Sequence, residues 1–165
     1  MAYEIGYNRE AAIAYASEWA FSRNPAWYAF DEFGGDCTNF ISQCVFAGCG
    51  VMNYTRDFGW YYISPSNRAA AWTGVPYFYN FMTNNQGRGP HGYEADLAEA
   101  ELGDVVQLNF NGERYAHSLL VVEIGEVPDP SNILIATHTI DSYLRPLDTY
   151  TYQFSRLIKI AGARE

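Results

Sequence analysis

The spacing of apolar residues changes period once along this chain, near residue 100, and that change limits the fold more than any other feature. Before it, apolar positions recur at helical spacing. Over residues 8 to about 23, Ala12, Ile13, Ala16, Trp19 and Ala20 share one face, with Asn8 suited to cap the start and Pro25 to mark the stop. Residues 51–66 read as loop. Residues 67–72 and 75–84 read as two short helical pieces interrupted by Gly74 and Pro76, and 84–90 as a turn cluster. After it, residues 103–110, 115–124, 133–139 and 154–160 read as strands, with a hairpin signal at Asn111-Gly112 and a turn over 128–132. Helices first and an antiparallel meander afterwards predict an α+β architecture. With 165 residues and no repeat or linker, one domain over 1–165 is expected.

Chemistry is concentrated in residues 34–44, Gly-Gly-Asp-Cys-Thr-Asn-Phe-Ile-Ser-Gln-Cys. A glycine pair and a capping-type residue, Asp36, run into a helical pattern that buries Phe40, Ile41, Cys44 and Val45. Cys37 then opens the helix, where free N–H groups and the positive end of the dipole favour thiolate over thiol. The other cysteines, Cys44 and Cys49, read as small buried apolar residues. Three cysteines this close together, odd in number, do not form a disulfide framework. No Cys-x-x-Cys pair or nearby histidine suggests zinc, so neither metal nor cofactor is expected.

A net charge of −9 argues against nucleic acid as a partner and against adhesion to anionic surfaces. Aromatics make up 17% of the chain, and Trp60, Tyr61 and Trp72 are candidates for lining a cleft. No apolar run is long enough for membrane insertion. The compartment stays open: extracellular or wall-associated if a leader has been trimmed, cytoplasmic otherwise. Oligomeric state is not readable from these residues.

A thiol nucleophile needs a base and a group that orients the base. The histidines are His91, His117 and His138. His91 lies among turn residues and reads as solvated surface. His117 stands at the mouth of an apolar strand and is expected to pair with Cys37. His138, near the end of the next strand, is one candidate to orient His117, and Asp141 is the other.

These residues resemble the bacterial "putative amidase domain" family, related to the NlpC-type and CHAP cell-wall enzymes of the papain-like superfamily. The likeness rests on the 34–44 stretch with Ala47-Gly48, on Arg23-Asn24-Pro25 upstream and on Trp72. It continues through Gly103-Asp104-Val105-Val106, Ala116-His117-Ser118 and the segment from Ala136 through His138 to Asp141. It implies a papain-like fold of N-terminal helices, with the nucleophile helix packed on a C-terminal antiparallel sheet. It also implies a cysteine amidase or peptidase with Cys37 as nucleophile, His117 as base and acid, and His138 as orienter. The backbone N–H of Cys37 is the natural first oxyanion donor; Asp36, Tyr28 and Asp31 are support or second-donor candidates. The expected partner is a peptide-type amide, with peptidoglycan as the leading substrate. Acyl transfer at the same thiol and a non-catalytic peptide- or glycan-binding module are the alternatives.

Overall fold

The computed structural model describes residues 3–165. Its helices are α1 (Arg9–Trp19), α2 (Cys37–Cys49), α3 (Ala70–Thr73) and α4 (Val75–Asn84). Its strands are β1 (Tyr62–Ser64), β2 (Asn67–Arg68), β3 (Gly89–Ala95), β4 (Val105–Asn109), β5 (His117–Glu123), β6 (Leu134–Thr137), β7 (Ser142–Pro146) and β8 (Phe154–Arg164). β3 to β8 form an antiparallel six-stranded sheet in the order β3-β8-β4-β5-β6-β7, and β1 and β2 pair separately. The architecture is mixed α+β, as the change of period requires.

Alternation along the strands sends side chains to two faces. Val105, Leu120, Val122, Ala136, Ile158 and Ile160 join a core with Phe40, Ile41, Cys44 and Val45 of α2 and with Trp60, Trp72 and Phe78. Val106, Leu108, Leu119, Val121, Ile135 and Leu157 form a second cluster, closed by Leu147, Tyr150 and Tyr152. α1 contributes alanines, Ala12 and Ala16, and its Asn8 cap accepts from the Ala11 N–H at 3.0 Å. Close approach is also why residue 48 is glycine: a Cβ there would sit 2.4 Å from a ring carbon of Tyr7. The β4–β5 hairpin turns through Asn111-Gly112 and sets Leu108 opposite His117.

The structure differs from the sequence pattern in three places. Residues 67–68 are strand, because the Pro65-Ser66 turn folds Arg68 back onto Tyr62; the helix begins only at Ala70. The cluster over 84–90 turns, but Gly89 already starts β3, which pairs with β8 from Gly89↔Arg164 to Ala95↔Leu157. Glycines and proline mask the strand signal there, and this partner carries β8 beyond residue 160. His91 is therefore a half-buried strand residue whose Nε2 donates to Glu4 at 2.9 Å, not solvated surface. β7 is a short edge strand without clean alternation and escapes the sequence pattern.

Candidate active site

Cys37 is the first residue of α2, and Asp36 holds the capping position without making a side-chain cap. The Asp36 carboxylate turns away from the helix. Its Oδ1 accepts from the Phe30 N–H at 2.7 Å and from Asn39 Nδ2 at 2.9 Å, while Oδ2 accepts from His138 Nδ1 at 2.5 Å. His138 Nε2 donates to the Trp19 carbonyl at 2.8 Å. Both ring nitrogens of His138 are therefore engaged, one by a carboxylate and one by a backbone carbonyl. It stacks on Phe40 with ring centroids 3.9 Å apart. Arg23 extends the network, donating to Asp31 at 2.7 and 2.9 Å and to Asp141 at 3.0 Å through two nitrogens.

This geometry corrects the expected orienters. His138 and Asp141 are both occupied, one by Asp36 and Trp19, the other by Arg23, and neither bonds His117. They hold the end of α2 instead. Asp31 belongs to the same network. The Tyr28 N–H is taken by the Tyr62 hydroxyl at 2.9 Å, and its carbonyl by Asn39 Nδ2, so its backbone offers no oxyanion donor.

With Asp36 withdrawn, the N–H groups of the first turn of α2 stay open. The backbone N–H groups of Thr38 and Ser118 both act on the Cys37 sulfur. Thr38 Oγ1 lies 3.8 Å from that sulfur and 2.9 Å from Ser118 Oγ. The start of α2 is thus tied to the start of β5, where His117 directly precedes Ser118. The His117 ring lies 5.8 Å from the Tyr150 ring and 6.2 Å from Phe110. Tyr150 is also within electrostatic reach of Cys37. Its buried hydroxyl has no hydrogen-bond partner among the described residues; Ser142 and Arg145 are near it without bonding geometry. Arg145 stacks over the Tyr150 ring at 3.7 Å and is held by Thr149.

Burial sets the charge state. It pushes the Cys37 thiol up despite the facing N–H groups, and it pushes the His117 imidazole down to about 4, with the Arg145 charge adding to the effect. His117 makes no side-chain hydrogen bond among the described residues, and no carboxylate offsets its desolvation. At neutral pH burial thus favours a thiol at Cys37 and a neutral imidazole at His117. The thiolate expected from the helix start alone is outweighed by burial.

Trp60 and Trp72 lie in the core, fully buried, with indole N–H groups on Ser42 Oγ and Asn39 Oδ1, each at 3.0 Å; they back α2 and do not line a cleft. Tyr61 is partly buried, its ring 5.9 Å from that of Tyr54. Sequence reasoning missed Tyr150, Arg145 and Phe110. Tyr150 is one of 14 tyrosines and sits in no periodic pattern, so nothing distinguished it. Among the described residues, no group of three His, Cys, Asp or Glu side chains is placed to hold a metal ion. No helix there is long and apolar enough to cross a membrane.

Comparison with known proteins adds the family. The protein YhbB of Bacillus subtilis (strain 168), itself uncharacterized, is 33% identical over 145 residues, which is 84% of this chain. The chain spans 43% of that relative's length. No solved structure matches. The profile of the "Putative amidase domain" family matches residues 6–161, and the chain belongs to that family.

Proposed function

We propose that this chain is a cysteine-dependent amidase in which Cys37 is the nucleophile and His117 the general base and acid. The observation that carries the reading is the seam between α2 and β5: a sulfur on the first residue of a helix is tied, through Thr38 and Ser118, to the strand start that bears a buried imidazole. A nucleophile helix packed on an antiparallel sheet, with the base on a strand, supports placing the chain in the papain-like superfamily beside the NlpC-type and CHAP enzymes.

The chemistry runs from a neutral pair. As an amide carbonyl reaches Cys37, the sulfur attacks and its proton passes to His117, which burial keeps deprotonated and ready to accept. The oxyanion forms beside the Cys37 N–H, which Asp36 leaves uncapped. His117 then protonates the leaving amine, and water hydrolyses the thioester, with His117 accepting the water proton. Tyr150, whose ring lies 5.8 Å from that of His117 and whose hydroxyl has no partner among the described residues, is a candidate donor to the departing or attacking atom. The substrate we assign is a peptide amide of bacterial cell wall, on the family likeness.

The test is digestion of purified peptidoglycan with mass spectrometry of released fragments, together with intact-protein mass after acid quench. Expected are released peptides and an acyl adduct mapped to Cys37. Cys37→Ala should abolish both, and His117→Ala should lower kcat/KM by about 100-fold or more. Full activity of Cys37→Ala would overturn the mechanism. An unchanged digest alongside turnover of simple amides would overturn only the substrate.

A further inference from the structure

A cavity of about 710 Å³ opens between the loop that follows α2, the exposed side of α4 and the turn after α4. The 13 residues of α2 span about 20 Å, and this loop leaves the end opposite Cys37. The proposed thiol chemistry therefore makes no use of the cavity.

Its lining combines two kinds of surface. Phe58, 84% exposed, and Tyr77, 56% exposed, offer aromatic rings to solvent at a place where apolar exposure has no structural purpose. Between them lie uncharged amides. Asn80 and Gln86 make no side-chain hydrogen bond among the described residues, and Asn84 donates to the Asn80 carbonyl while its own Oδ1 stays open. Asn53 and Asn85, on the same wall, behave differently. Asn53 bonds the Arg88 carbonyl and the Thr55 N–H, and Asn85 bonds the Arg88 and Pro90 carbonyls and the Gly87 N–H. Those two build the wall, and the other three face its contents.

Among the described residues no lysine, arginine or histidine lines the cavity, and its one carboxylate is Asp57, held at φ 68°. The absence of cationic groups disfavours an anionic ligand, and one carboxylate is too few for a metal ion. Open amides that both donate and accept suit a ligand dense in hydroxyls. Exposed ring faces carry negative charge in their quadrupole and suit a flat face of polarised C–H groups. A pyranose has both. We propose that this cavity binds a neutral saccharide unit, independently of the thiol site, so that the chain can hold a polysaccharide at one end of α2 while acting at the other.

The experiment titrates the whole chain with chitotriose and with cellotriose by isothermal titration calorimetry, with inorganic phosphate as the anionic control. Saturable binding of at least one sugar is expected. It should weaken about tenfold in Phe58→Ala and in Asn80→Ala, and remain unchanged in Cys37→Ala. Phe58 and Asn80 are exposed, so these variants should keep the wild-type melting temperature. Absence of binding by both sugars into the millimolar range would overturn the proposal, as would binding indifferent to both cavity substitutions or competition by phosphate. A loss of binding in Cys37→Ala alone would place the sugar at the thiol site, and would overturn it as well. None of these outcomes depends on whether the thiol is catalytic.

Discussion

Asp104, fully buried where β4 begins, gathers four donors: Arg9 at 2.7 Å, Lys159 at 2.9 Å, and the N–H groups of Glu101 at 2.8 Å and Ile160 at 3.1 Å. Asp36 is as deeply buried, and gathers three: His138, Asn39 and the Phe30 N–H. Both carboxylates are satisfied, as buried charges must be. Their partners differ in kind. Asp104 joins α1, β4 and β8 through cations that stay charged at any ordinary pH. Asp36 joins α2 to the end of β6 through the His138 ring, with the Arg23 guanidinium 3.7 Å away, and leaves the first turn of α2 without a side-chain cap. One network fastens the scaffold, and the other adjusts the end of a helix.

Removing the scaffold charge should produce the largest effect. Asp104→Asn takes the buried carboxylate from Arg9 and Lys159, leaving them only the exposed Glu101 as an ionic partner, and should destabilise by about 3 kcal/mol, read as a lowered denaturant midpoint at unchanged slope. Below the transition the folded fraction should keep wild-type alkylation kinetics at Cys37. A selective change in thiol reactivity with little loss of stability would erase the distinction between the two sites.

His117 sharpens the contrast, since it is buried with no countercharge among the described residues. Its ordinary value is 6.5 and its folded value about 4. Between these, the unfolded chain binds a proton that the folded chain refuses. Stability is therefore complete above about pH 6.5 and falls as pH drops toward 4, by about 3 kcal/mol from this group. His117→Gln should remove that component, which equilibrium unfolding at several pH values will read. The acid limb of kcat/KM should likewise lie near pH 4. A limb near 6.5 would mean that the ring is solvated when substrate arrives.

Asp36→Asn comes next, at about 2 kcal/mol. The amide oxygen can still accept from the Phe30 N–H and from Asn39, so the cost is smaller than at Asp104. The discriminating readout is chemical. Cys37 should change its alkylation rate relative to Cys49, because the end of α2 shifts against β5. Equal rates would assign Asp36 a purely structural role.

How much of this was legible in the sequence follows from range. The helix start at Cys37, the β4–β5 hairpin and the mixed architecture arise from local pattern and turn chemistry, so they could be read directly. The same reading singled out Cys37 and His117, the two groups that the proposed function pairs. It could not find their company. Whether His138 faces His117 or Asp36 depends on the register of β6 against β5, which shifts between Val121 and Glu123, and on a contact spanning 102 positions. Burial of Trp60 and Trp72 behind α2, and the depth that suppresses thiolate formation at Cys37, are likewise properties of assembled packing. β3 and β7 were lost for a simpler reason: glycine, proline and edge position remove the alternation that marks a strand.

The smallest effect tests where strain is held. Beside Asp104 the left-handed residue is Gly103, at φ 85°, where the absence of a side chain removes the penalty. In the Asp36 network the equivalent positions are Thr139, at φ 66°, and Ile140, at φ 54°, two β-branched residues between His138 and Asp141. The anchors on either side, to Asp36 and to Arg23, hold that turn in a conformation its side chains oppose. Ile140 is 79% exposed, so little burial is lost on replacing it. Ile140→Asn, whose side chain tolerates this backbone, should raise stability by about 1 kcal/mol. Gly35, two residues before Cys37, lies against Thr139, which brings the strained turn to the rim of the site. A stabilised variant with lower kcat/KM on peptide amides would show that the turn is shaped for substrate. A destabilised one would show that the exposed isoleucine packs on a surface the Asp104 region does not have.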